Sequence, residues 1–465
     1  MKRNPHNSSS QFAGDAAVSG RLSGKPARML AFLGCMFAVL SALTLLAPTV
    51  FAADTMLWTF NPPPDADTSA STLVADRFGN LYGTSSQGGA SNLGTVFVLC
   101  APGTTAPAPC LAGHPPWQEF VLYSFQGVGV ADGANPYSTL IFGGNYAGRA
   151  FTLYGTTFNG GSDFCPGGGG CGTVFQLCAP AAVGGCGGAG WIEKVLWRFT
   201  SGKDGANPYG GVIEDKANFL YGTTVYGGGA CNCGTVFKLK HNAAWVFNEI
   251  LPPIHRFTGP PDGAYPYAAL CCNSIFAIPT LYGTTGQGGG PNSGTVFRVK
   301  NVPAYPEAVL YNFCSVPGCK DGANPYGNVI FDAGGNMYGT TAYGGIPGSC
   351  GGPGCGTVFK LAALPIPLYS FFGSPDGALP VTGLTFDSAG NLYGTTVMGG
   401  ATGNGTVFAL PGAAPPDILL HSFAGGFDGA GPNGGVVFDA PFPGELYGVT
   451  AFGGGPGFGI AYSVP

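Results

Sequence analysis

Carboxylates are the most regularly spaced reactive groups in this sequence. An Asp-Gly-Ala turn recurs along the chain, so the aspartates would form a ring if the repeats close into a circle. Such a ring could bind a cation or a polyhydroxyl ligand. An aspartate followed by glycine also folds back onto the next backbone amides to hold a turn, and this role is favoured because every repeat has it. These aspartates are Asp132, Asp204, Asp262, Asp321, Asp376 and Asp428, with Asp65 in a degenerate first copy.

Four tyrosines follow these turns at a constant spacing, where each begins the next apolar segment. Aromatic rings at the rim of a site suit flat sugars or peptides, although a tyrosine at the start of a strand also serves in packing. The candidate ligand-binding residues are therefore the aspartates above and Tyr137, Tyr209, Tyr267 and Tyr326.

Groups that could catalyse a reaction are few. Glu214 and Asp215 are adjacent, so in a strand they point to opposite faces and do not act as one acid–base pair. His255 and His421 occupy a position held by Tyr or Trp in other repeats, which indicates packing. The sequence has no nucleophile elbow, phosphate-binding loop or zinc-protease helix motif. We predict no catalytic residue, no cofactor and no metal, while an enzyme whose site is assembled from distant repeats stays open.

The repeat itself predicts the fold. Each unit contains Tyr-Gly-Thr, then Gly-Thr-Val-Phe, an apolar run ending in Phe, and the Asp-Gly-Ala turn. Four short segments rich in Val, Ile, Thr, Tyr and Phe, separated by Gly, Pro, Asn and Asp, indicate four strands, named A to D in chain order. In the fifth unit we predict them at 328–332, 336–341, 356–361 and 366–371. Seven units of this length predict an all-β, seven-bladed β-propeller of four-stranded blades. The seven Tyr-Gly-Thr/Val copies begin at Tyr82, Tyr154, Tyr221, Tyr282, Tyr338, Tyr393 and Tyr447.

The two ends of the repeat region complement each other. The seventh unit stops at Val464 after strand C, whereas Leu57-Trp58-Thr59-Phe60 near the beginning matches a strand D. An N-terminal strand that completes the last blade closes the ring and leaves no free sheet edge. We therefore predict a ring closed in this way.

The run Asp-Gly-Ala-Asn-Pro-Tyr, followed by Gly-Asn-Leu-Tyr-Gly-Thr-Thr and Gly-Thr-Val-Phe, resembles the tandem repeat of bacterial secreted proteins called the Gloeo-Verruco, or GloVer, family. The resemblance covers about Met56 to Val464. It implies an exported repeat protein, often with a separate C-terminal surface anchor. This sequence ends at Pro465, immediately after the last repeat, and the resemblance brings no catalytic residues with it.

The first 52 residues differ from the rest. A basic leader, an apolar stretch from Met29 to Leu46 and Val50-Phe51-Ala52 predict a signal peptide over 1–52, with an uncleaved anchor as the alternative. Residues 53–465 then form one propeller domain that is secreted or periplasmic, with no membrane attachment after cleavage. This part has 13 Lys and Arg against 22 Asp and Glu, a net charge of −9 without a basic stripe, so nucleic acid is excluded as a partner.

Fourteen cysteines follow the leader, an even number that predicts disulfides in an exported chain. Strained or cross-paired disulfides, free thiols and a metal all stay open for Cys231, Cys233, Cys271 and Cys272. Close neighbours in the sequence are predicted to pair as Cys100–Cys110, Cys165–Cys171, Cys178–Cys186, Cys314–Cys319 and Cys350–Cys355.

Three functions are compatible with these features. The leading hypothesis is an extracellular binding or interaction scaffold, expected to be a monomer, for a protein, peptide or carbohydrate. The alternatives are an enzyme acting on a polysaccharide or another extracellular polymer, and a structural module of the cell surface or matrix. Binding is expected on the face that carries the D-to-A and B-to-C loops, because disulfides add rigidity there.

Overall fold

Seven antiparallel sheets make up the computed structural model of the chain, one for each repeat. The structure describes residues 55–465 apart from 70, 104–108, 111–115, 144–151, 162–164, 166–167, 181–189, 242–246, 250–252, 274–279, 303, 363–364, 414–416 and 439–443. Over the described residues the secondary structure is strand with four short 3-10 helices, at Val128–Val130, Ser349–Gly351, Pro411–Ala413 and Gly426–Asp428. The predicted seven-bladed β-propeller is confirmed. No described helix is long and apolar enough to cross a membrane.

Each blade runs outward from strand A to strand D. The A strands are Val74–Ala75, Ile141–Phe142, Ile213–Glu214, Cys271–Asn273, Ile330–Phe331, Thr385–Phe386 and Val437–Phe438. The B strands are Leu81–Gly88, Thr152–Thr157, Phe219–Thr224, Thr280–Thr285, Met337–Thr341, Leu392–Thr396 and Leu446–Val449. The C strands are Thr95–Cys100, Thr173–Cys178, Thr235–His241, Thr295–Lys300, Thr357–Leu361, Thr406–Leu410 and Ile460–Val464. The D strands are Gln118–Ser124, Ile192–Arg198, Phe247–Glu249 with His255–Arg256, Glu307–Asn312, Pro365–Ser370, Ile418–Ser422 and, for blade 7, Thr55–Thr59.

Short ladders join each D-to-A turn to the B-to-C loop of the blade it enters. Gly133–Ala134 pairs with Asn159–Gly160 in this way. Equivalent pairs are Ala66–Ser69 with the end of Leu81–Gly88, Gly263–Ala264 with Gln287–Gly288, and Gly377–Ala378 with Met398–Gly399. Both sets of loops therefore lie on one face of the ring, which we call the loop face. The A-to-B turns and C-to-D loops lie on the opposite face.

The repeated motifs have packing roles that explain their recurrence. In Tyr-Gly-Thr the glycine lies under the phenylalanine of Gly-Thr-Val-Phe, so that a Cβ at Gly155 would be 2.6 Å from the ring of Phe175. The second threonine of strand B, replaced by Ser85 in blade 1, bonds the threonine of strand C through their hydroxyls, at 2.7–2.9 Å in six blades. These contacts lock the two central strands of each blade together.

Adjacent blades are joined by aromatic packing that repeats around the whole ring. The phenylalanine that ends strand D packs against the strand C aromatic ring of the next blade, with centroids 5.0–5.3 Å apart at all seven junctions. The threonine after Tyr-Gly donates to a backbone carbonyl of the following blade, as Thr156 does to Gly210 at 3.0 Å. Pairs of aromatic rings each contribute about 0.5–1.5 kcal/mol beyond the area they bury.

The seventh junction closes the ring as predicted. Thr55–Thr59 pairs antiparallel with Ile460–Val464 and becomes strand D of blade 7. Phe60 then packs on Phe97 of blade 1 at 5.3 Å, the same contact that joins the other blades. The N-terminal strand therefore supplies the missing edge and the missing junction together.

Four of the predicted disulfides are confirmed by the structure, namely Cys100–Cys110, Cys165–Cys171, Cys314–Cys319 and Cys350–Cys355. Cys231 and Cys233, whose pairing the sequence left open, bond to each other. The predicted Cys178–Cys186 bridge has one end outside the described residues, and the side chain of Cys272 is not described either. Five disulfides in one chain indicate an oxidising compartment.

Candidate functional site

The turn aspartates are each engaged within their own turn. Asp132 accepts hydrogen bonds from the backbone amides of Gln126 and Gly133, at 2.8 and 2.6 Å, and from the hydroxyl of Tyr123 at 3.0 Å. Asp321 repeats the arrangement with the amide of Ser315 and the hydroxyl of Tyr311. These contacts support the turn role. A ligand-binding role of Asp132, Asp204, Asp262, Asp321, Asp376 and Asp428 stays a prediction.

The candidate tyrosines, by contrast, are brought together. Tyr137 stacks on Tyr209 at 4.9 Å, Tyr209 contacts Tyr267 edge-on at 5.7 Å, and Tyr267 contacts Tyr326 at 5.2 Å. They form a continuous aromatic arc over blades 2 to 5. Burial raises the pKa of Tyr209 to about 12, so its hydroxyl is protonated at neutral pH. The arc lines a narrow central cavity of about 90 Å³.

The aromatic arc is incomplete, and this breaks the symmetry of the ring. The matching position holds Val381 in blade 6 and Asn433 in blade 7, and both line the same cavity. The described lining is otherwise made of Ser, Thr, Gly, Ala and Asn, so it contains no Asp, Glu or His. The central cavity is therefore a small aromatic and hydroxyl-lined channel, and the carboxylates in the described part of the chain lie outside its lining.

A second set of carboxylates meets the turn aspartates at the blade junctions, a contact that the sequence analysis missed. The sixth residue before the final phenylalanine of strand D is acidic in four described blades, and each of these side chains approaches the aspartate of the preceding turn. We call these residues the junction acids. They are Glu119 beside Asp65, Glu193 beside Asp132, Glu307 beside Asp262 and Asp417 beside Asp376.

The junction acids are poorly solvated, which changes their titration. Burial, together with the neighbouring Asp132, raises the pKa of Glu193 to about 8. Burial raises the pKa of Glu119 to about 7 despite hydrogen bonds from the Ala66 amide and the Trp58 indole. Burial and Asp417 likewise raise the pKa of Asp376 to about 6. These pairs lie at the blade junctions, where Glu119 is buried and Glu193, Glu307 and Asp417 are partly buried.

Large apolar side chains are exposed mainly on the loop face, and chiefly on blades 5 to 7. Phe427 is 75% exposed, Phe452 56% and Met398 53%. The other exposed apolar side chains on this face are Val130, Val316, Tyr343, Ile346 and Phe372, whereas elsewhere among the described residues they are Met56, Phe78 and Ile418. Scattered exposed apolar residues are normal on a protein surface, whereas here eight of the eleven in the described part of the chain lie on one face.

A groove of about 460 Å³ opens among these side chains between blades 5 and 6. One wall is the loop closed by Cys350–Cys355 with Tyr343, and the other is the D-to-A turn and B-to-C loop of blade 6 with Leu379 and Met398. The described lining carries no charged side chain, and Tyr343 and Ser374 supply its side-chain hydroxyls. We call this the blade 5–6 groove.

A family model describing the Gloeobacter/Verrucomicrobia repeat matches residues 46–274, 167–363 and 308–465, which together span the propeller. The chain belongs to the Gloeobacter/Verrucomicrobia repeat family. This confirms the resemblance seen in the sequence. No curated protein matches the chain.

Solved structures similar to this Gloeobacter/Verrucomicrobia repeat protein are distant. A puromycin hydrolase matches with a TM-score of 0.45 and 11% identity, covering 82% of this chain and 49% of its own. An ulvan lyase of polysaccharide lyase family PL25 matches with a TM-score of 0.44 and 11% identity, over 89% and 94% of the two chains. An α-L-arabinanase from Penicillium chrysogenum, complexed with arabinobiose, matches with a TM-score of 0.40 and 12% identity, over 77% and 97%. The chain thus spans about half the length of the hydrolase.

Proposed function

We propose that this protein is an exported binding scaffold that holds an extended apolar segment of another polypeptide in the blade 5–6 groove of its loop face. The observation that carries the proposal is that two exposed apolar side chains of the loop face, Tyr343 and Met398, line this groove. An uncharged apolar groove gains most from burying apolar side chains.

The lining favours a polypeptide over a carbohydrate. Sugars are held by several convergent polar side chains beside an aromatic platform, whereas the polar side chains of this groove are Tyr343 and Ser374, beside Met398 and Leu379. Methionine adapts its shape to different apolar partners, which suits a peptide site. Gly352 and Gly403 are exposed in the lining of the groove, so an extended chain can approach the backbone there while its side chains enter the groove.

The scaffold is rigid where the proposed site lies. Cys350–Cys355 closes the B-to-C loop of blade 5, and Cys314–Cys319 closes the D-to-A turn that precedes this blade. A loop that is already ordered loses less conformational entropy on binding. Five disulfides also support export, since such bonds persist in oxidising compartments.

The test uses random peptides displayed on phage and selected on the purified protein. We expect the selected peptides to be rich in Leu, Phe and Trp, and to bind Met398→Asp and Tyr343→Asp at least about tenfold more weakly, a loss of about 1.4 kcal/mol. Phe78→Asp, which places the same charge on the opposite face, should bind like the wild type.

Two results would contradict the proposal. One is equal binding of the selected peptides to all variants, which would place the site outside the groove. The other is selective binding in a glycan panel that Met398→Asp does not weaken, which would favour the carbohydrate alternative.

A further inference from the structure

One junction acid meets a histidine and an aspartate at the boundary between blades 3 and 4. His255 lies in the last part of strand D of blade 3, Asp262 lies in the turn that follows, and Glu307 begins strand D of blade 4. One donor atom from each of these side chains lies within 4.8 Å of the other two, and the described part of the chain has one such trio.

We propose that His255, Asp262 and Glu307 form a zinc-binding site that fastens blade 3 to blade 4. One imidazole and two carboxylates are a donor set that zinc accepts with one further position open to water. The site shares no residue with the blade 5–6 groove, so it is tested independently of the proposed binding function.

The distances fit this ion. In a tetrahedral zinc site with bonds of about 2.0–2.1 Å, two donor atoms are about 3.3 Å apart. The Nε2 atom of His255 lies 3.3 Å from Oδ2 of Asp262, which is long for a hydrogen bond between these groups. The donor atom of Glu307 lies within 4.8 Å of the other two, so its carboxylate must approach them by no more than about 2 Å to reach the spacing of a zinc site.

One carboxylate oxygen of the trio makes no hydrogen bond within the described part of the chain and could therefore bind a metal ion. The Oε1 atom of Glu307 is buried and has no hydrogen-bond partner among the described residues. Asp262 is oriented by its own turn, because the amide and hydroxyl of Thr258 donate to Oδ2 at 2.9 and 3.2 Å and the amide of Gly263 donates to Oδ1 at 2.6 Å. A carboxylate oriented in this way by outer hydrogen bonds is typical of a metal ligand. His255 and Asp262 remain 18% and 14% exposed, so an ion can enter from solvent.

The other junctions show what the histidine adds. At the junction of blades 1 and 2 the same positions hold Tyr123, Asp132 and Glu193, and the tyrosine hydroxyl donates to the aspartate at 3.0 Å. A protonated phenol is a hydrogen-bond donor, whereas a neutral imidazole nitrogen is a metal ligand. The molecule therefore contains its own matched control, with two carboxylates and no imidazole.

The experiment is equilibrium dialysis of the chelator-stripped full chain against Zn²⁺, with bound metal measured by mass spectrometry. We expect His255→Ala and Glu307→Gln each to bind one equivalent fewer than the wild type, while Glu193→Gln binds the wild-type amount. We also expect Tyr123→His to bind one equivalent more than the wild type, because it adds an imidazole to the matching carboxylates.

Glu307→Gln keeps the size of the side chain, so it decides the question even where His255→Ala fails to fold. A wild-type amount of zinc on Glu307→Gln would overturn the proposal. The proposal also fails if Zn²⁺ raises the melting temperature of the wild type and of Glu307→Gln equally. Glu307 is the ligand from blade 4, so zinc bound between the two blades must stabilise the ring through its carboxylate.

Discussion

At the residue scale, the turn aspartates Asp132 and Asp376 are each contacted by side chains from two neighbouring blades. The residue two places before the final phenylalanine faces the turn aspartate of its own blade, as Tyr123 faces Asp132 and Tyr369 faces Asp376. The junction acid of the next blade reaches the same aspartate. Two carboxyl groups that are close together and poorly hydrated do not both ionise easily. The junctions therefore make the stability of the ring depend on pH.

The pH dependence has a definite sign. Because burial and Asp132 raise the folded-state pKa of Glu193 to about 8, the folded protein holds this proton more tightly than the unfolded chain does. The stabilisation that comes from protonated Glu193 is complete when the pH is below the ordinary pKa of a glutamate. It is lost as the pH rises through about 8. Glu119, with a folded pKa of about 7, acts in the same direction.

We expect the free energy of unfolding in denaturant to be higher at pH 5 than at pH 9. Glu193→Gln removes the ionisation at one junction, so it should stabilise the protein at pH 9 by about 1–2 kcal/mol and have a much smaller effect at pH 5. Glu445→Gln makes the same change outside the junctions and serves as the control. An effect of Glu193→Gln that is equal at both pH values would show that the junction does not titrate as described.

At the scale of the element, regular strands were predictable and the contacts between blades were not. The predicted strands of the fifth blade agree with Ile330–Phe331, Met337–Thr341, Thr357–Leu361 and Pro365–Ser370 to within two residues at each end. Alternation of β-branched and aromatic residues between Gly-rich turns is a local signal, so it can be read from the sequence.

The junction acids depend instead on how strand D lies over the preceding blade, a geometry that local spacing does not contain. A sequence signal did exist, since Glu119, Glu193, Glu307 and Asp417 each stand six residues before the final phenylalanine of strand D. The sequence also did not predict which tyrosine side chains are exposed to solvent. Tyr226 and Tyr343 share one position in the repeat, yet Tyr226 packs on Tyr265 at 5.7 Å and Tyr343 is exposed.

Disulfide-closed loops are the other feature of this scale. Four predicted pairs are seen, all between close neighbours in the sequence, which leads us to expect the same for Cys178 and Cys186 in the C-to-D loop of blade 2. Peptide mapping of the exported protein without reduction should recover a Cys178–Cys186 peptide pair. Recovery of Cys186 linked to a cysteine of another blade would contradict this expectation, and the confirmed Cys100–Cys110 pair is the internal control.

At the scale of the whole molecule, closure depends on one strand far from its partner in the sequence. Thr55–Thr59 gives blade 7 its outer edge, and Phe60 fills the junction with blade 1. Gly435 of blade 7 also donates its amide to the hydroxyl of Thr72 in blade 1, at 2.9 Å. The ring is thus held by the same kinds of contact at its seam as at its other junctions.

Deleting Met56 to Phe60 should open this seam. We expect dimerisation by strand exchange, aggregation, or a loss of about 3–5 kcal/mol in the free energy of unfolding, the cost of removing a buried phenylalanine alone. Light scattering and thermal unfolding measure these outcomes. A synthetic peptide of residues 55–60 should restore part of the stability. A truncated protein that stays monomeric with an unchanged melting temperature would contradict ring closure by this strand.

We propose that this scaffold binds its partner on the loop face, at the blade 5–6 groove. Hydrogen exchange of the protein with and without a selected apolar peptide tests the claim most directly, because it reports which backbone amides the peptide protects. We predict protection within residues 343–354, 372–379 and 398–403, and none in the A-to-B turns at 76–80 and 387–391. Protection confined to those turns of the opposite face would contradict the account.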